Sequence, residues 1–313
     1  MQLQDFFNSE AALRMGLWLG QHTPPRVGYR LADAVTGVVA RRHESPLVRS
    51  VHSNLRVVLG PQASDEQVAR TAREVFRHAG RVYFNFYHHI NLGMERLVRT
   101  VTFSPRTEQY IEEVLSGDRG ALIVGCHLSA YELAGVAFAY RGIPIQGLSW
   151  ADPTSGYRLQ NQLRTVQNFE YTPISSQALR QAVRRLRGGG YVATAVDRPD
   201  PFGGGIMLPF FGRTARMPDG HVRLALQTNV PVLVAAAEYR PSDNTYMMHL
   251  IRRLEMERVG SKEEDIVHNT RRILAILEGV IGSHPEQWLM FYPVWEEELA
   301  AKPGEATSSE TPP

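Results

Sequence analysis

The chain has 313 residues, 43% hydrophobic and 21% charged, a globular composition with length for one large core or two modest ones. Its single cysteine, Cys126, excludes an intramolecular disulfide. The formal charge of +2 is unevenly spread: residues 1–100 hold 13 Arg against 8 Asp plus Glu, a net of +5, which leaves −3 for the remainder.

Read in chain order, residues 3–20 place Leu3, Phe6, Phe7, Leu13, Leu17 and Trp18 at near-helical spacing. An amphipathic helix with Phe and Trp on its apolar side suits a membrane interface, and it equally suits packing on a core. The Arg bias of the N-terminal third fits an anionic lipid leaflet or a solvated face. Asp5, Glu10 and Arg14 interrupt the basic-then-apolar pattern of a signal peptide. No segment reaches the roughly 18–20 uninterrupted apolar residues of a membrane-crossing helix. The expectation is a chain that is soluble or lies on a membrane without crossing it. Residues 24–102 read as largely helical, with a long unbroken stretch over 66–90.

From residue 120 the pattern changes. Apolar, β-rich runs at 121–126, 144–149, 191–196, 230–239 and 245–251 predict strands. Helical patterns fall near 130–141, 155–168, 177–187, 217–228 and 263–282. This alternation predicts an α/β fold, a central mixed or parallel sheet flanked by helices, with a helical N-terminal part packed on it. The predicted organisation is one domain over 1–302, mostly helical over 1–102, with the α/β core over 120–297. Residues 303–313, rich in Pro, Ser, Thr and Glu, read as a disordered tail.

The candidate chemistry lies where the first β-rich run ends. ALIVGC runs directly into His127, and Glu132 follows five positions later. Functional groups collect where strands end and helices begin in an open α/β sheet. With His127 in the loop and Glu132 in the first helical turn, the carboxylate would hold one imidazole nitrogen and raise the basicity of the other. Two plainer readings stand beside this one. His127 also reads as a buried, hydrogen-bonded strand-end residue. Ser129-Ala130-Tyr131-Glu132 also fits a capping box, with Ser129 opening the helix. No second His or Cys stands at metal-ligand spacing, so no metal is expected. Neither Cys126 nor Ser129 sits in a Gly-x-Ser-x-Gly elbow.

Four blocks in order extend the pattern: His–x4–Glu at 127–132, VATAVDRPD at 192–200, IMLPFFGRTARMPDGHVRLALQTNVPVL at 206–233, and SHPEQWLMFYPVW at 283–295. With SNLRVVLG at 53–60, they resemble the bacterial lipid A biosynthesis acyltransferase family, which includes phosphatidylinositol mannoside acyltransferases. The resemblance covers roughly residues 15–297. It implies a glycerolipid-acyltransferase-like α/β fold with an apolar groove, attached at the cytoplasmic face of the inner membrane. The implied reaction moves a fatty acyl chain from an acyl thioester, on coenzyme A or acyl carrier protein, to a hydroxyl of a membrane lipid or glycolipid. No cofactor beyond these substrates and no nucleic acid is implied.

In that reaction His127 would be the general base and Glu132 would orient it. Alternatives are a thioesterase or lipid hydrolase using the same pair on water, and a non-catalytic lipid-binding homologue. Arg164 and Arg198 are candidates for the oxyanion or for substrate phosphates, with a solvated helix position as the plainer reading of Arg164. Asp197 would position an arginine or a sugar hydroxyl. Phe210, Phe211 and Gly212 resemble a turn beside the substrate site, and core anchoring accounts for them as well. The family's Asp-x-Asp element is here Asp197-Arg198-Pro199-Asp200, with Pro199 inserted. His221 stands where the family pattern has a small residue or Pro, and it reads either as an acceptor-site feature or as a histidine at a helix N-terminus.

Overall fold

The computed structural model describes residues 9–116, 120–165, 168–199 and 204–295. Leu3, Phe6 and Phe7 of the first predicted helix, Asp200, and the tail over 303–313 lie outside them.

Five helices come first: α1 (Glu10–His22), α2 (Pro25–Ala40), α3 (Pro46–Leu59), α4 (Asp65–Asn91) and α5 (Met94–Val98). Their starts follow local chemistry. Ser9 and Ser64 accept N-capping hydrogen bonds from Ala12 and Gln67, and Pro25 and Pro46 supply a preset φ at the first helical position. The long helix α4 is about 40 Å from end to end at 1.5 Å per residue. It carries the N-terminal layer against the sheet. Gly28 lets α2 close on it, because a Cβ there would stand 2.0 Å from the Phe84 ring. Tyr29 donates to Asn85, and Asn85 donates in turn to the Tyr246 hydroxyl of the sheet.

Nine strands follow among the described residues: β1 (Val101–Phe103), β2 (Ala121–Gly125), β3 (Ile145–Ser149), β4 (Phe169–Pro173), β5 (Tyr191–Ala195), β6 (Ile206–Phe210), β7 (Arg213–Met217), β8 (Val232–Arg240) and β9 (Thr245–Leu254). Between them run α6 (Pro105–Ser116), α7 (Tyr131–Tyr140), α8 (Ser155–Arg164), α9 (Ser176–Arg187), α10 (Gly220–Thr228) and α11 (Lys262–Ser283). Seven strands form one sheet in the order β1-β9-β8-β2-β5-β3-β4, and β6 and β7 form a separate antiparallel hairpin. The five strands β8, β2, β5, β3 and β4 run parallel, with β9 antiparallel to β8.

The α/β expectation with a helical N-terminal part is the observed fold. The five strands predicted from β-rich runs are all present. β1, β4 and the β6–β7 hairpin were not predicted. β1 has only three residues, and β4 carries alternating polar positions that read as loop. The helix expected over 155–168 stops at Arg164, where Thr165 turns extended.

The sheet is buried on both faces, as its near-continuous apolar strands require. Leu122 and Val124 of β2 pack in one core with α9, α10 and α11, whereas Ala121 and Ile123 pack in the other with α7. This alternation is the period of two of an extended chain.

Candidate active site

β2 and β5 are hydrogen-bonded neighbours with Gly125 opposite Ala195, so both release the chain at the same carboxyl edge. His127 leaves β2 there, and Asp197 leaves β5. The His127 ring Nδ1 lies 2.7 Å from Asp197 Oδ1, and the His127 backbone N–H donates to Oδ2 at 2.9 Å. Trp288 Nε1 donates to the same Oδ2 at 2.7 Å. Asp197 is completely buried. Burial by itself would push its carboxyl up, but the His127 ring, Trp288 and the His127 amide together hold it below the ordinary value. An ionised carboxylate can only accept, so the shared proton sits on Nδ1, and in the neutral ring Nε2 then carries the lone pair.

The loop bearing His127 is clamped by a distant segment. Leu289 N–H donates to the His127 carbonyl at 2.7 Å, and Ser129 N–H donates to the Gln287 carbonyl at 2.8 Å. Gln287 in turn accepts from the Tyr239 N–H through its side chain. The Pro-Glu-Gln-Trp block therefore supports the site it follows by more than 150 residues in sequence.

Glu132 does not reach His127. Its carboxylate pairs with Arg164, which is 3% exposed. The Arg164 guanidinium also lies over the rings of Phe86 and Tyr171 at 5.7 and 5.9 Å. Burial is the largest influence and opposes the Arg164 charge, but the Glu132 carboxylate together with Tyr171, Tyr157 and Tyr131 outweighs it, so the guanidinium stands above its ordinary basicity. The capping box is absent as well: the N-cap position of α7 is Ala130, and it has no side-chain cap. Ser129 instead adopts φ 51° and pairs through its hydroxyl with His78 Nε2 of α4 at 2.9 Å.

These findings correct several expectations. Asp197, not Glu132, holds the imidazole, because β5 delivers it beside the end of β2. Arg164 is held by Glu132 inside aromatic side chains and does not line the cavity described below. Phe210 is fully buried and stacks on Trp295 at 5.7 Å. Phe211 and Gly212 form the turn of the β6–β7 hairpin, where the Phe211 N–H donates to Glu278 at 2.6 Å. None of the three lines the cavity; they anchor the hairpin to α11 and to the core. The Cys126 thiol is fully buried and pushed well above its ordinary value by that burial, which disqualifies it as a nucleophile.

A cavity of about 510 Å³ opens beside His127, within the ~300–1,000 Å³ usual for small-molecule sites. Its wall on the α7 side sets small residues, among them Gly125, Gly135, Gly147 and Ala235, beside the larger Ile123, Phe169, Tyr171 and Met248. Gly147 keeps that wall open, because a Cβ there would come within 3.1–3.2 Å of the Tyr171 and Phe169 rings. Leu122, Thr194 and Val196 also line the cavity, so it reaches both faces of the sheet. At the mouth, Arg198 is clamped between Trp150 and Tyr292, with its guanidinium carbon 3.7 and 3.6 Å from the two ring centroids. Burial lowers the Arg198 basicity, and the guanidinium is a cation throughout the physiological range.

Sequence reading missed Trp288 as the second ligand of Asp197 and missed the aromatic clamp on Arg198. It placed His221 at a helix N-terminus, which is where it stands, in the first turn of α10. It did not show that His221 also lines the cavity. The conspicuous Trp of the last block was the available signal for Trp288.

The geometry is a buried Asp–His pair at the edge of a sheet, facing a largely apolar cavity. Comparison with known proteins agrees with it. The family model described as bacterial lipid A biosynthesis acyltransferase matches residues 11–297. The chain is also similar to the phosphatidylinositol mannoside acyltransferases of two strains of Mycobacterium tuberculosis, each 22% identical over 289 residues, covering 90% of this chain and 87% of the relative. The chain therefore belongs to the bacterial lipid A biosynthesis acyltransferase family and is an acyltransferase.

Proposed function

We propose that the enzyme moves a fatty acyl chain from an acyl thioester to a hydroxyl of a membrane glycolipid, with His127 as general base. The observation that carries this reading is the His127–Asp197 contact at the mouth of the apolar cavity. An alcohol is a weak nucleophile at neutral pH and needs a base to take its proton as it attacks. His127 Nε2 takes that proton while the hydroxyl oxygen bonds to the thioester carbonyl carbon. Asp197 stabilises the imidazolium that forms. When the tetrahedral intermediate collapses, the C–S bond breaks and the imidazolium returns the proton to the leaving thiolate. Attack is direct, so no acyl-enzyme is needed.

Arg198 is the group we assign to the developing oxyanion or to a substrate phosphate. Glu132 acts one step back. By neutralising Arg164 it fixes the first turn of α7, which carries Tyr131 edge-on against the His127 ring at 4.9 Å. The acyl chain lies in the cavity. The donor is acyl-coenzyme A or acyl carrier protein, and the acceptor class follows that of the relatives.

Attachment to the membrane is peripheral in this reading. No helix among the described residues is long and apolar enough to cross a bilayer. Val27, Leu31, Val35 and Val38 repeat along α2 and are all exposed, as are Met15 and Trp18 of α1. Exposed Arg14, Arg26, Arg30, Arg41 and Arg42 accompany them. An exposed apolar stripe flanked by arginines suits the interface of an anionic leaflet, here the cytoplasmic face of the inner membrane.

The test is a mass-spectrometric assay of palmitoyl-coenzyme A with a total membrane lipid extract, comparing the wild type with His127→Ala. A His127-dependent acylated lipid is the expected product and identifies the acceptor by mass. Release of free fatty acid alone would replace transfer by hydrolysis.

A further inference from the structure

His221 is the one cavity-lining side chain among the described residues whose polar atoms are buried without a hydrogen-bond partner, at both ring nitrogens. It is 5% exposed, and its neighbours in α10, Val222, Leu224 and Ala225, belong to the core. A polar group left unbonded in such a place is costly unless a ligand satisfies it. We propose that the α10 side of the cavity receives an acyl chain bearing a hydroxyl, with His221 as that hydroxyl's hydrogen-bonding partner. This rests on the acyl-transfer reading and specifies which chain the enzyme takes.

The chemistry of the wall selects a neutral group. Asp219 lines the same cavity two residues away, and its carboxylate, paired with Arg223 at 2.7 Å, disfavours an anion there. A neutral imidazole has one donor and one acceptor, and a hydroxyl matches either nitrogen because it can do both. Burial keeps the imidazole neutral, lowering it to about 4. A sugar, with several hydroxyls, would need several partners. Beside His221, this side of the cavity offers chiefly Leu122, Val196 and Leu224; the Asp219 carboxylate is taken by Arg223, and the Thr194 hydroxyl already donates to the Ala195 carbonyl at 3.3 Å. One hydroxyl on an otherwise apolar chain fits that inventory.

The experiment is displacement of a fluorescent fatty acid from the full-length protein by palmitic acid and by a series of hydroxypalmitic acids with the hydroxyl at successive carbons. One position is expected to bind ~10-fold tighter than palmitic acid. His221→Leu should erase that gain while binding palmitic acid at least as well, which also shows that the variant is folded. His221→Phe repeats the test should the leucine variant fail to fold. Equal or weaker binding of every hydroxy acid by the wild type, or a gain that survives in His221→Leu, overturns the proposal. Palmitoyl and hydroxypalmitoyl transfer are measured in parallel. A His221-dependent binding gain without transfer from either donor would leave the site standing and sink the transfer reading instead.

Discussion

Two carboxylates, Asp197 and Glu132, stand beside the His127 loop, one brought there by β5 and one by the chain that follows the loop, and their surroundings differ. Asp197 is fully buried and faces a histidine, a group able to take up and return a proton during a reaction. Glu132 faces Arg164, a cation that keeps its proton throughout. In the proposed mechanism the first pair changes charge during the reaction, while the second stays fixed. A carboxylate beside a histidine in sequence is therefore no guide to which one the imidazole touches.

The largest effect should come from the imidazole itself. His127→Ala is expected to lower transfer by about 10²–10⁴-fold, the contribution of a positioned general base, with a limited loss of thermal stability, because the buried Asp197 loses the ring but keeps the residue-127 amide and Trp288 as donors. Steady-state rates beside a melting curve check both halves of that statement.

Asp197→Asn should come next, at a similar or slightly smaller loss of roughly 10²–10³-fold in kcat. The amide is able to donate to Nδ1, which moves the ring proton to Nε2 and removes the acceptor lone pair. An Asn variant as active as the wild type would mean that Asp197 merely holds the loop through Trp288 and the His127 amide.

Glu132→Gln breaks the comparison from the other side. It leaves the Arg164 charge buried without its partner, at a cost of about 3–5 kcal/mol in folding stability. Activity per folded molecule should fall less than for either residue of the Asp–His pair. Pairing Glu132→Leu with Arg164→Met should restore much of the stability. If Glu132→Gln instead removes activity at unchanged stability, Glu132 touches the reaction directly.

The smallest effect sharpens the comparison by asking what a buried histidine does when no carboxylate is bonded to its ring, the nearby Asp219 only partly opposing burial at His221. His78 and His221 are both held by burial at about 4, below the ordinary 6.5. Below pH 6.5 the unfolded chain takes up protons that the folded chain refuses. Stability is thus full above pH 6.5, declines as pH falls, and levels off below about pH 4. Each histidine should account for roughly 2 kcal/mol of loss between pH 7.5 and 5. The Asp197 contribution lies below its ordinary value of 3.8, outside that window. Urea unfolding at the two pH values, with His78→Phe and His221→Phe, isolates the terms. Variants that keep the full pH dependence would assign it elsewhere.

The fold was legible where a segment's own chemistry decides it. ALIVG is apolar at every position because the sheet is covered on both sides, and its length and ending placed His127 at the strand edge. The clamp of the His127 loop by Gln287 and Leu289 was not legible, since it joins segments far apart in sequence. Nor was β4, whose FEYTP reads as loop until β3 pairs with it.

The site divides in the same way. Sequence by itself determined the alternation of strands and helices, the position of His127 at a strand end, and the family. It also brought Asp197 to the end of its own strand. Tertiary structure alone decided that β5 lies beside β2, and so that Asp197 rather than Glu132 meets the imidazole. It likewise decided that Arg164 is enclosed and that His221 turns toward the cavity. Spacing along the chain governs contacts only within one element. Between elements, contacts are set by which strands pair and which faces are covered, and those choices belong to the burial of the whole sheet.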